Sequence, residues 1–346
     1  MAGTTHILVI RLSAMGDVAM TVPVLRALVL QHADVKVTVV SRAFFRPFFD
    51  DIPRVDFFAA DTKGRHKGFL GIIKLYNDLK KLRFDSVADL HNVLRSKLVK
   101  KLFALSGKKT ATVDKARAEK KALTRAENKV FEPLKPVTQR HAEVFAALGF
   151  PVDLANPAFP KKKALSHEII AVTGEKQGKW IGIAPFAQHE GKVYPQDLMQ
   201  EVVDKLADNP NCNLFLFGGG AAETSILETI AKSRLNTIVV AGKLKLEQEL
   251  ALISQLDVML SMDSGNGHMA AMLGVPVVTL WGATHPYVGF APFNQPAENQ
   301  LTADRVQYPL LPTSIYGNKK VEGYDDAMRT ITPQEVIERI MAVITI

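Results

Sequence analysis

Four short runs place chemistry-bearing side chains where strands are expected to end. In Ser13-Ala14-Met15-Gly16-Asp17, Gly16 lets a ligand approach the backbone, and Asp17 is either a helix cap or a carboxylate facing a cleft. In Asp263-Ser264-Gly265-Asn266-Gly267-His268, small residues expose N–H groups at a strand-to-helix turn. Together with the helix dipole these groups suit a phosphate or diphosphate. The same residues also suit a tight turn with Asp263 or Ser264 as N-cap, and His268 alone reads as a packed histidine more readily than as a ligand. Lys192, in the loop Gln188 to Pro195, is a cation that could meet such an anion or be solvated. Gly218-Gly219-Gly220 precedes Glu223, whose carboxylate either caps a helix or accepts two ribose hydroxyls.

The elements that must position these residues alternate. His6 to Ile10 is a β-branched run, after which Val18, Val22, Leu25 and Val29 recur at helical spacing. Val35 to Val40 and Ser86 to Leu90 read as further strands, and Thr138 to Leu148 as a helix closing the first half at Gly149. Pro151 to Lys163, with three prolines and a Lys triplet, is the expected linker. A second α/β series follows, with strands at Trp180 to Ala184, Leu214 to Phe217, Thr237 to Val240, Val258 to Ser261 and Val277 to Trp281. The pattern predicts two doubly wound parallel-sheet domains, with ligands at the carboxyl ends of the strands.

Composition sets the bounds. The 346 residues exceed one ordinary domain core, and 47% hydrophobic with 23% charged residues is a globular balance. The lone Cys212 permits no internal disulfide and no cysteine-rich metal site, which fits a reducing, cytoplasmic setting. No secretory leader is expected. The stretch Ser264 to Ala297 lacks Asp, Glu, Lys and Arg, but Gly274, Pro276, Gly282, Pro286, Gly289 and Pro292 punctuate it, so no membrane span is predicted. A G-x-G-x-x-G fingerprint is missing, and Gly107-Lys108-Lys109-Thr110 lacks the upstream glycine of a P-loop. The net charge of +8 is concentrated: Arg95 to Arg140 carries fourteen Lys or Arg against four acids, and Lys63, Arg65 and Lys67 form a second cluster. Such a face could meet phosphorylated ligands or an anionic membrane, or could simply be solvated. Nucleic acid is disfavoured, because the basic run lacks interleaved aromatics.

Taken together, the chain resembles glycosyltransferase family 9, the ADP-heptose:lipopolysaccharide heptosyltransferases, over nearly its whole length. The resemblance is carried by Arg11-Leu12-Ser13-Ala14-Met15-Gly16-Asp17-Val18, Pro23 with Leu25-Arg26-Ala27-Leu28, and Lys192 with Pro195. It extends through Phe217-Gly218 with Glu223 and Met262 to Ala271, and ends in Gly274 to Gly282. It implies a GT-B fold, with an N-terminal acceptor domain over residues 1–160 and a donor domain over 161–330. A last helix, about 330–346, would pack back on the first domain.

By position, the resemblance makes Asp17 the general base of an inverting transfer. Donor binding would fall to Ser13, Met15, Gly16, Gln188, Lys192, Glu223, Leu244, Asp263, Ser264, Gly265 and His268. The acceptor, a phosphorylated lipid or oligosaccharide, would meet Lys63, Arg65, Lys67, Arg117, Lys120 and Lys121 in the N-terminal domain. A nucleotide sugar is the expected co-substrate, with no cofactor and no metal, and the enzyme would touch the inner membrane peripherally. Another nucleotide-sugar donor, another surface glycan, or a non-catalytic nucleotide-sugar binding module are the alternatives.

Overall fold

The computed structural model describes residues 4–232 and 234–345; residues 1–3, 233 and 346, included in the expected domains, lie outside it. The chain forms two compact units, one of residues 4–115 and 135–159, the other of residues 116–134 and 160–345.

The first unit contains β1 (Thr5–Ile10), α1 (Met15–Ala19), α2 (Val22–Gln31), β2 (Val35–Ser41), β3 (Val55–Ala59), α3 (Gly68–Lys80), β4 (Ser86–Asp89), α4 (Leu94–Leu105) and β5 (Lys109–Thr112). The chain then leaves it for α5 (Arg117–Thr124) and returns with α6 (Val137–Leu148). Its sheet has the order β3-β2-β1-β4-β5, all parallel. β1 is central and its Ile7, Leu8 and Val9 are fully buried, as expected for a strand covered on both faces. α6 stops at Gly149, whose φ of 103° is a left-handed cap that glycine adopts without strain.

The second unit adds α7 (His167–Thr173), β6 (Lys179–Ala184), α8 (Gln196–Ala207), β7 (Cys212–Leu216), α9 (Gly220–Ala231), β8 (Thr237–Val239), α10 (Leu246–Gln255), β9 (Val258–Met262), α11 (Gly265–Met272), β10 (Val277–Trp281), β11 (Gln300–Thr302) and α12 (Pro333–Thr345). The sheet order is β11-β10-β9-β6-β7-β8, again parallel throughout. Its core joins Ile181, Ile183, Leu214, Leu216, Val258 and Leu260 to Met199, Val202 and Val203 of α8.

Two expectations about domain membership change. The last helix belongs to the second unit: Val336, Ile340 and Ile344 of α12 are buried in that unit's core, against α8, β9 and β10. Residues 116–134 also belong there, because Leu123, Phe131 and Leu134 cluster with Trp281, Val288 and Tyr287. Lys129 Nζ fastens the same segment by donating to the carbonyls of Leu310 and Pro312, both at 2.8 Å.

Candidate active site

In the first unit, β1 delivers its carboxyl end into the Leu12–Ala14 turn, and Asp17 follows in the first turn of α1. Asp17 Oδ2 lies 2.5 Å from Arg11 Nη2 and accepts from the Ala14 N–H at 3.2 Å. The capping use of Asp17 is therefore real, and the carboxylate keeps 30% of its side-chain exposure. Arg11 is itself buried and donates through Nη1 to the carbonyl of Leu90, the residue after β4, at 2.6 Å, so the end of that strand holds the cation that holds Asp17. His91, just beyond β4, accepts from the Leu12 N–H through Nδ1 at 3.4 Å. Burial first, then the cations Arg11 and Lys115, push the His91 pKa down to about 4, and burial pushes that of His141 on α6 to about 3. Both imidazoles are thus neutral at neutral pH. Ser13, Met15 and Gly16 sit half-buried in the same turn.

In the second unit, three strand ends converge. Asp263 follows β9, Lys192 follows β6 in a short 3-10 turn, and Thr284 follows β10. Lys192 Nζ is 3.3 Å from Asp263 Oδ2, which also accepts from Thr284 Oγ1 at 3.0 Å. Both charged side chains are largely buried, 14% and 7% exposed. Backbone proximity sets this arrangement: the Ala283 N–H donates to the Gly191 carbonyl at 2.7 Å, and a Cβ on Gly282 would stand 2.6 Å from that same oxygen. Ser264 occupies the N-cap of α11, its Oγ 3.1 Å from Ser261 Oγ, which in turn accepts from the Gly267 N–H at 3.1 Å. Gly265 opens α11, and His268 is buried on it.

The other expected donor residues lie apart from this network. Glu223 caps α9 by accepting from the Gly219 N–H at 2.7 Å, with Gly218 close against its carboxylate. Leu244 is half-buried in the turn between β8 and α10. Gln188 is exposed and lines a cavity of about 320 Å³ that is also bordered by Gly191, Ala283, Leu311 and Tyr324. Among the described residues, no group of three or more His, Cys, Asp or Glu side chains is placed to hold a metal ion.

The six expected acceptor residues divide between the units. Lys63, Arg65 and Lys67 are exposed in the loop after β3, where Arg65 makes a two-pronged pair with Asp78 at 2.8 and 3.0 Å. Arg117, Lys120 and Lys121 lie on α5 and so belong to the second unit, which corrects their expected placement in the first. Lys120 Nζ stands 4.1 Å above the Phe290 ring. Sequence reasoning did not single out Arg11 as the partner of Asp17, nor Thr284; a basic residue at the very end of the central strand was the available signal for the former.

Both units place acidic, cationic or N–H groups at the carboxyl ends of parallel strands. Residues 72–314 match Glycosyltransferase family 9 (heptosyltransferase), and the chain belongs to that family. It is 26% identical to the lipopolysaccharide core heptosyltransferase OpsX of Haemophilus influenzae over 83% of this chain and 81% of that protein. The crystal structure of a glycosyl transferase family 9 protein from Veillonella parvula superposes with a TM-score of 0.76, at 18% identity, covering 100% of this chain and 98% of the other. The structure of Escherichia coli ADP-heptose lps heptosyltransferase II gives 0.69, at 22% identity and 99% coverage of both. The fold is GT-B, as the sequence led one to expect.

Proposed function

We propose that the enzyme moves a heptose from ADP-heptose to a phosphorylated lipopolysaccharide core precursor with inversion, at the cytoplasmic face of the inner membrane. The observation that carries this reading is the Lys192–Asp263–Thr284 cluster at the start of α11, in a chain of the heptosyltransferase family. An acceptor hydroxyl oxygen attacks the anomeric carbon while Asp17 takes its proton. The bond from that carbon to the diphosphate oxygen breaks, and the electron pair leaves with ADP. Charge then grows on the diphosphate, where Lys192 and the N–H groups of the Ser264–Gly265 turn stabilise it. Arg11 orients the base, Asp263 holds Lys192 and meets the transferred sugar, and Glu223 holds the ribose. The exposed cations at 63, 65, 67, 117 and 121 attract the acceptor phosphates.

The test is transfer from ADP-heptose to a heptose-free phosphorylated Kdo-lipid A acceptor, read by mass. A heptose increment supports the reading. Turnover only with a UDP- or GDP-sugar would keep the fold and base and replace the donor, while ADP binding with no transfer to any acceptor would leave a binding module.

A further inference from the structure

The first unit carries an apolar cluster that its own packing leaves uncovered. α3 buries Gly71, Ile72, Leu75 and Leu79 against the sheet, while the opposite side of its first turns presents Phe69, Leu70 and Ile73, which are 69, 72 and 40% exposed. α4 packs beside α3 and opens with Leu94, 74% exposed. Both helices begin at the carboxyl edge of the sheet, so these side chains share one rim. Exposed apolar side chains taken singly are ordinary; adjacent large ones at one rim need an explanation.

The surroundings are basic. Residues 61–81 hold six Lys or Arg (63, 65, 67, 74, 80 and 81) against Asp61 and Asp78. Lys63, Arg65 and Lys67 directly precede the apolar turn, and Lys74 and Lys80 continue the exposed side of α3. The basic loop is not loose: Asp61 accepts from the Gly64 and Arg65 N–H groups, both at 2.8 Å, and the Asp61 N–H donates to His66 Nδ1 at 3.0 Å. Gly71 lies so close to the His66 backbone that a Cβ there would stand 2.2 Å from its carbonyl carbon, which locks the loop onto the helix. The result is an apolar turn on a fixed loop, flanked along the chain by exposed cations.

We infer that this rim is the membrane-seating surface, with Phe69, Leu70 and Ile73 entering the acyl boundary of an anionic bilayer and Lys63, Lys67 and Lys74 lying among its headgroups. Charge complementarity selects the occupant: anionic headgroups attract the cations, and the apolar turn gains only where hydrocarbon lies just below. No helix among the described residues is long and apolar enough to cross a membrane, so contact of this kind would be interfacial. The inference rests on the proposed function in that it supplies the surface by which the enzyme reaches a membrane-held acceptor.

Vesicles of phosphatidylcholine with phosphatidylglycerol, free of any glycan acceptor, test the surface apart from the reaction. The full chain should co-sediment with them and not with phosphatidylcholine alone, and Phe69→Ser/Leu70→Ser should bind about tenfold more weakly or worse. Because both side chains are exposed, that variant should keep its thermal midpoint and its turnover on a de-acylated acceptor. An environment-sensitive fluorophore on Leu70→Cys should brighten with anionic vesicles, while the same label on Leu235→Cys, fully exposed in the second unit, should not. Cys212 is buried and does not compete for label. Equal vesicle binding by wild type and the double Ser variant, or none by either, would overturn the inference. So would a wild-type dimer that this variant dissociates, which would assign the face to a second copy.

Discussion

Lys192 and Asp263, carried by loops after different strands of one sheet, form an ion pair at 3.3 Å in which neither side chain is more than 14% exposed. Removing one partner of a buried pair strands the other, whereas removing both together costs far less. A double-mutant cycle of Lys192→Met and Asp263→Asn should therefore show a coupling of about 1–3 kcal/mol in denaturant unfolding. Each single variant should also weaken ADP binding. Additive effects would mean that the two charges are held independently.

The turn that carries Lys192 packs closely against Gly282. A methyl group on Gly282 would stand 2.6 Å from the Gly191 carbonyl oxygen and equally close to Met328. Gly282→Ala should displace the turn bearing Lys192, raise the donor KM, and cost about 1–3 kcal/mol of stability. Unchanged donor KM with lowered stability would show that the turn relaxes without moving the lysine.

Acid should destabilise the first unit. His91 and His141 have folded pKa values of about 4 and about 3, below the ordinary 6.5, because burial disfavours their charged forms. Between those values and 6.5 the unfolded chain binds more protons than the folded one. Their contribution is therefore fully present above about pH 6.5 and is lost as pH falls toward 4. The loss is at most about 2 kcal/mol per histidine by pH 5. Denaturant unfolding at pH 7 and pH 5 should show it, and His91→Gln should flatten the slope between them. An equally steep slope in that variant would place the acid sensitivity elsewhere.

Much of this architecture is legible because both sheets are buried on both faces, so β1, β2, β6, β9 and β10 read as continuous apolar or β-branched runs. β5, Lys-Thr-Ala-Thr, carries no such signal, since an edge strand is only half covered. Helical periodicity shows that α12 has one apolar side but not which sheet receives it; Val336, Ile340 and Ile344 find theirs in the second unit. The segment 116–134 reads as part of a basic run, and only the distant Trp281 and Val288 explain why Leu123 and Phe131 draw it into the second unit. By type and place alone, Asp17 reads as a cap, Lys192 as a solvated lysine and Asp263 as a turn residue as readily as anything else; the family resemblance is what singles them out. The pairings Arg11–Asp17 and Lys192–Asp263 are tertiary facts that no spacing reveals.

The proposed chemistry draws its charge stabilisation from Lys192 and the α11 turn. Transfer should accordingly persist, within about twofold, after exhaustive treatment with EDTA. A loss of activity restored by a divalent cation would show that the diphosphate needs a metal as well.

The central claim is that Asp17, oriented by Arg11, removes the acceptor proton. Its most direct test is kcat for heptose transfer by Asp17→Asn beside wild type, with ADP affinity measured on both. A fall of about 10²–10⁴-fold in kcat with ADP affinity largely retained is the predicted result. Turnover near the wild-type rate would contradict it and leave Asp17 as the cap of α1 and the partner of Arg11.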